Sequence, residues 1–153
     1  MKRLTKCIAT IGAIALTLPT IARANDQTCG PNRLNGLYVF SATGYNIDNG
    51  TAVPKAIVEQ IEFNGDGTLD VPAVTVSING NLIRGRPGSS GTYQLGATPD
   101  PLCVGTVKFS DGNQFDLFVS PHGDEAWMIQ TNAVLPTGPT RAVLQGKLER
   151  VTH

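Results

Sequence analysis

The sequence predicts an all-β fold: an eight-stranded antiparallel up-and-down β-barrel, with a two-sheet sandwich as the alternative. Three observations carry this. No stretch past residue 24 keeps a 3.6-residue apolar period for three turns without Gly or Pro. Short runs rich in Val, Ile, Thr, Phe and Tyr recur instead, divided by turn dipeptides. Their spacing, roughly 16 residues per strand plus turn, suits a meander whose closure removes exposed edges.

The elements follow in order. Gly36 to Thr43 reads as the first strand, and Lys55 to Phe63 as the second, ending at Asn64-Gly65-Asp66-Gly67. Thr68 to Ile78 is the third, with Pro72 as a break point. Asn79-Gly80 is a tight turn that wants positive φ at both centres. Asn81 to Arg84 is short and is interrupted by Arg86-Pro87-Gly88; Gly91 to Leu95 resumes. Beyond the loop Thr98 to Pro101 come Cys103 to Phe109, a turn at Asp111-Gly112-Asn113, and Gln114 to Val119. Pro121-His122-Gly123-Asp124 turns into Glu125 to Thr131. The loop Pro136 to Pro139 leads to Thr140 to Val151, the cleanest amphipathic strand of the chain.

A period of two assigns faces. Tyr38, Phe40 and Ala42 share one side; so do Ile57, Glu59, Ile61 and Phe63; so do Cys103, Val107 and Phe109. Phe115, Leu117 and Val119 form a further apolar row, as do Ala142, Leu144, Gly146 and Leu148. Trp127 and Ile129 alternate with Met128 and Gln130.

Residues 1–24 read as a secretory signal peptide: Lys2, Arg3 and Lys6, then the apolar run Ile8 to Leu18, then the small-x-small site Ala22-Arg23-Ala24. Residues 25–153 are then a single barrel domain, exported to a periplasm or outside the cell. The apolar run is too short to span a bilayer, so no stable membrane insertion is expected after cleavage. Removing the leader's Lys2, Arg3, Lys6 and Arg23 from 12 basic residues leaves 8 against 12 acids, a net of −4. That balance excludes a nucleic-acid binder, which needs clustered Lys and Arg. Arg84 and Arg86 are the only close basic pair and read as a solvated hairpin end. Cys29 and Cys103 remain, the number for one disulfide in an oxidising compartment; a reactive thiol at Cys103 is the rival reading.

The strings GLYVFSATG, EQIEFNGDGTLD, VSINGNLIRG, GSSGTYQL and LCVGTVKF, from Gly36 to Phe109, form a recognisable layout. It resembles a group of small secreted bacterial proteins, most of them without an assigned activity, over about Asn35 to Arg150. That group is similar to the allene-oxide-cyclase-like barrels, neighbours in shape of the lipocalins. The resemblance implies an eight-stranded barrel with an apolar interior, among whose relatives are cyclases acting on bound hydrophobic intermediates. The chain departs from the pattern at Glu59, where a small residue is expected.

Glu59 is the weak catalytic candidate. A carboxyl among Ile57, Ile61 and Phe63 would have a raised pKa suited to acid or base work, with Tyr38 as a partner. The opposite register, or a place at the barrel mouth, would leave it an ordinary carboxylate. His122 beside Asp124 and Glu125 reads as a turn before it reads as a metal or acid-base site. Asn64, Asp66 and Asp70 mimic part of a calcium loop, but position twelve is Ala73, so a hairpin turn is the simpler reading and no metal is assigned. The sequence holds no Gly-x-Ser-x-Gly, His-Glu-x-x-His, Cys-x-x-Cys or phosphate-loop motif, and no cofactor is implied.

Three functions stay open. One is a non-catalytic binding module for a small apolar ligand lined by Tyr38, Phe40, Phe63, Phe109, Phe115 and Trp127. Another is a filled barrel acting through its loops. The third is a cyclase or isomerase on a bound hydrophobic substrate, with Glu59 as its acid. No sequence feature separates the first two, and none fixes the oligomeric state.

Overall fold

The computed structural model describes residues 29–85, 89–97, 102–131 and 141–151. The leader expected over residues 1–24 and the two Pro-rich loops lie outside the described residues. Among the described residues, nine strands follow a 3₁₀ turn at Pro31–Arg33: β1 (Asn35–Asp48), β2 (Thr51–Asn64), β3 (Thr68–Ile78), β4 (Asn81–Arg84), β5 (Ser89–Ala97), β6 (Cys103–Phe109), β7 (Gln114–Val119), β8 (Glu125–Gln130) and β9 (Arg141–Arg150).

All pairings are antiparallel, and the order is β2-β1-β9-β8-β7-β6-β5-β3-β4 with β2 also paired to β3. Eight strands therefore close on themselves, and β4 lies outside as an extra strand. Closure excludes the sandwich. β3 carries β5 along Thr68 to Val71 and β4 along Thr75 to Ile78. β4 and β5 thus share one edge of β3, each along a different part of it.

Two Asn-Gly pairs set the first hairpins. Asn79 and Gly80 have φ of 50° and 83°, as the sequence demands of that turn. Asn49 and Gly50, at 47° and 80°, make a second such turn between β1 and β2. These two strands are 14 residues each, longer than the expected Gly36–Thr43 and Lys55–Phe63. Pro72 does not break β3. Gln60 faces Ala73 and Glu62 faces Asp70, so Ile61 stands opposite both Val71 and Pro72 in a bulge. The bulge accommodates a residue that has no N–H to give the ladder. It also turns Val71 and Val74 to the same inner face although they are three apart.

The lower barrel is solid. Tyr38, Phe40, Ile61, Phe63, Leu69, Val107, Leu117 and Leu148 are sealed from water. Rings meet edge to face in two chains, Tyr38–Phe63–Tyr93 and Phe40–Phe115–Phe109, with centroids 5.0 to 5.9 Å apart. The 3₁₀ turn plugs the lower end. Tyr93 donates its hydroxyl to the carbonyls of Pro31 (2.8 Å) and Leu34 (3.0 Å). Arg33, itself buried, donates to the Pro121 carbonyl, and Tyr38 donates to the Gly123 carbonyl. Arg150 reaches the Tyr38 hydroxyl (2.6 Å) and the Gly123 carbonyl (3.1 Å).

The Cys29–Cys103 disulfide ties this plug to β6. It joins residues 74 apart, so the chain-entropy model assigns it roughly 4.5 kcal/mol. Cys103 is therefore not a free thiol.

Candidate functional site

The barrel has unequal ends. Along β2 the inward row runs upward from Phe63 and Ile61, both buried, to Glu59, Ile57, Lys55 and Val53, all partly exposed. Along β3 it runs from Leu69 and Val71, both buried, to Val74, Val76 and Ile78, partly exposed. The upper inward face of β2 and β3 is thus only half buried, and it forms one side of a cup above the sealed core.

Glu59 stands in that cup. Its backbone neighbours are Phe40 on β1 and Val74 on β3, so its side chain rises beside the Phe40–Phe115–Phe109 cluster. Burial pushes its pKa up to about 7; the nearby Asp111 carboxylate adds to the rise and Lys55 opposes it. Lys55 lies two inward positions above Glu59 on the same strand. Burial lowers its pKa, while Asp111 and Glu59 act to raise it. Asp111 comes from the β6–β7 turn, which its own carboxylate stabilises by accepting from the Asn113 backbone N–H (2.9 Å) and side-chain amide (2.7 Å). Asn113 in turn accepts a bond from Gln130 on the inner face of β8 (3.0 Å). The arrangement offers an apolar wall, an aromatic floor and a carboxyl that changes charge near neutrality.

The residues singled out in the sequence fall in different places. Tyr38, Phe40, Phe63, Phe109 and Phe115 are all in the core, in contact with one another, and fill the lower barrel. Trp127 corrects an expectation. It lies on the outer face of β8, 45% exposed, while Ala126 and Met128 point inward. The register explains this: Ala126 pairs with Leu148, an inward residue, and Trp127 with Lys147, an outward one. Tyr38 is not a partner for Glu59 either. Its hydroxyl points to the lower end, toward Gly123 and Arg150.

Asn64, Asp66 and Asp70 meet at the β2–β3 turn. Asp66 accepts from the backbone N–H (2.9 Å) and hydroxyl (2.7 Å) of Thr68, which hold its pKa below the ordinary value. Asn64 donates to Thr68 (3.0 Å) and Asp70 (3.3 Å). These oxygens are engaged in shaping the turn, and the described residues contain no group of three or more His, Cys, Asp and Glu placed to hold a metal. Asp124, near exposed His122, accepts from the Ser120 hydroxyl (2.6 Å) within the β7–β8 turn.

Two contributors were missed in the sequence. Lys55 shares the two-residue period of Glu59, so its place on the inner face was readable. Asp111 is brought in by the turn, and no local signal places it above Glu59.

No family model matches the chain, and no curated protein matches it. Among solved structures the chain is similar to a de novo designed fluorescence-activating β-barrel, with a TM-score of 0.43 and 11% identity, over 79% of this chain and 96% of that one.

Proposed function

We propose that the chain is an exported binding module, and that a small apolar ligand sits in the upper cup rather than among the core rings. The observation that carries this is the change along β2 and β3 from sealed to half-open inward residues. Ile57, Val74 and Val76 leave apolar surface available there. Edge-to-face packing below them leaves the six core aromatics no room for a guest. The ligand this suits has an apolar body and one polar group facing Glu59. The Cys29–Cys103 disulfide is consistent with an oxidising, extracytoplasmic setting.

The test is a titration with the neutral apolar dye N-phenylnaphthylamine. Saturable binding at one site is expected, lost in Ile57→Trp, which fills the cup, and retained in Trp127→Glu on the outer face. No saturable binding, or binding lost only in Trp127→Glu, refutes the reading.

One observation favours a second reading. A carboxyl poised near neutrality in an apolar cup is what an acid catalyst of cyclisation or isomerisation requires. Glu59 then acts without Tyr38. Turnover of a cup-bound substrate that survives unchanged in Glu59→Gln removes this mechanism.

A further inference from the structure

The outside of the barrel carries an apolar trough that the cup does not explain. Register places Val58, Ser41, Lys147, Trp127 and Phe118 in one row across β2, β1, β9, β8 and β7. Ala56, Thr43, Gln145 and Ile129 form the next row, and Pro54, Tyr45 and Val143 the one above. Small side chains on β1 and β2 make a floor, and Trp127, Phe118 and Ile129 stand as a ridge beside it. The first two rows line an open hollow of about 650 Å³. Lys147 lends it an alkyl stem, since its ammonium is held by Glu125 (2.7 Å) and Glu149 (2.8 Å).

We propose that this face is a two-fold interface with a second copy of the chain. Tyr45, Val58, Phe118, Trp127, Ile129 and Val143 are each 39 to 55% exposed, which leaves on the order of 500 Å² of apolar side chain in water. An interface of standard size takes roughly 800 Å² from each partner. The apolar patch supplies more than half of that, and the rim of Ser41, Thr43, Gln145 and the Lys147 stem the rest. A two-fold axis lays the ridge of one copy in the trough of the other, and the same contact forms twice. Sheets packed face to face in this way interdigitate their side chains at about 10 Å separation. A small molecule in so open a trough would stay half in water, whereas a second sheet covers its whole length.

The chain has one tryptophan, Trp127, and it lies in the ridge. Its emission therefore reports on this face alone. Sedimentation velocity and fluorescence are read together on the disulfide-oxidised protein from about 1 μM to about 1 mM. A monomer–dimer equilibrium is expected, with Trp127 emission moving to the blue as dimer forms. Trp127→Glu and, separately, Ser41→Arg are expected to weaken association at least about 30-fold. Both side chains point outward, so each variant is expected to keep a cooperative unfolding transition, and the two are read together. A monomer throughout the range overturns the proposal. So does a dimer that forms without changing Trp127 emission and survives both variants, since it is built on another surface. A monomer whose emission shifts on neutral phosphatidylcholine vesicles also overturns it and gives the face to a membrane.

Discussion

Glu59 makes the stability of the barrel depend on pH in a direction opposite to that of most carboxylates. In the folded chain it keeps its proton up to about pH 7; in the unfolded chain it loses it near the ordinary 4.5. Below 4.5 both states carry the proton, and the buried carboxyl adds no electrostatic penalty. Between 4.5 and 7 only the unfolded chain releases it, so stability falls as pH rises, by up to about 1.4 kcal/mol per pH unit. Above 7 the loss is complete at about 3 kcal/mol, an upper figure because the carboxyl keeps some contact with water. Glu59→Gln keeps the shape and removes the proton. Urea unfolding of both proteins at pH 5 and pH 8 isolates the effect, since Asp111, Lys55 and every other titrating group are common to the two. Part of the loss is already present at pH 5, so with a slope of about 2 kcal/mol/M the midpoint gained by the variant at pH 8 exceeds that at pH 5 by about 1.2 M. Midpoints that run parallel between the two pH values would refute the placement of Glu59 in a desolvated cup.

Two further outcomes follow from the lower end. Reducing the Cys29–Cys103 bridge is expected to cost several kcal/mol, up to roughly 4.5, read as the fall in urea stability with reductant; a loss below about 1 kcal/mol would show that the plug is held without it. Gly123→Ala is expected to destabilise by about 2 kcal/mol or more. The residue has φ of 71°, and an added Cβ would lie 2.2 Å from the Arg33 carbonyl oxygen; a neutral effect on the thermal midpoint would show that the turn shifts freely.

Much of the fold was legible because turn chemistry is local. β3, β4, β6 and β7 have the bounds read from the sequence, each fixed by Asn-Gly, Asp-Gly-Asn or Gly-Asp-Gly punctuation. The upper halves of β1 and β2 were not legible. Gly44, Asn46 and Pro54 fall outside the strands read from the sequence, yet Gly44 is closely packed: a Cβ at this position would lie 1.8 Å from the Val143 carbonyl oxygen. Trp127 was misplaced because β8 is apolar on both faces and period alone cannot choose between them. Volume chose. With the lower barrel filled by rings, Ala126 and Met128 fit inside and the indole does not. The inward direction of Glu59 was readable from alternation, whereas the carboxylate of Asp111 above it is a product of tertiary closure.

β1 joins its two neighbours on very different terms. It meets β2 through a two-residue turn, but its pairing with β9 begins at Tyr38 and Arg150, near opposite ends of the chain. Until the last strand has been made, half of the ladder of β1 is bare. A nascent chain that lacks β9 is therefore an open ribbon, and the cylinder exists only once β9 has joined β1. At that seam Ala42 faces Gly146, and Gly44 faces Leu144, with backbones too close for a side chain at either glycine. A slip of one residue would put a β-carbon where neither strand has space. β9 is thereby held to a single alignment, and its long-range pairing with β1 is expected to slow the closure of the barrel.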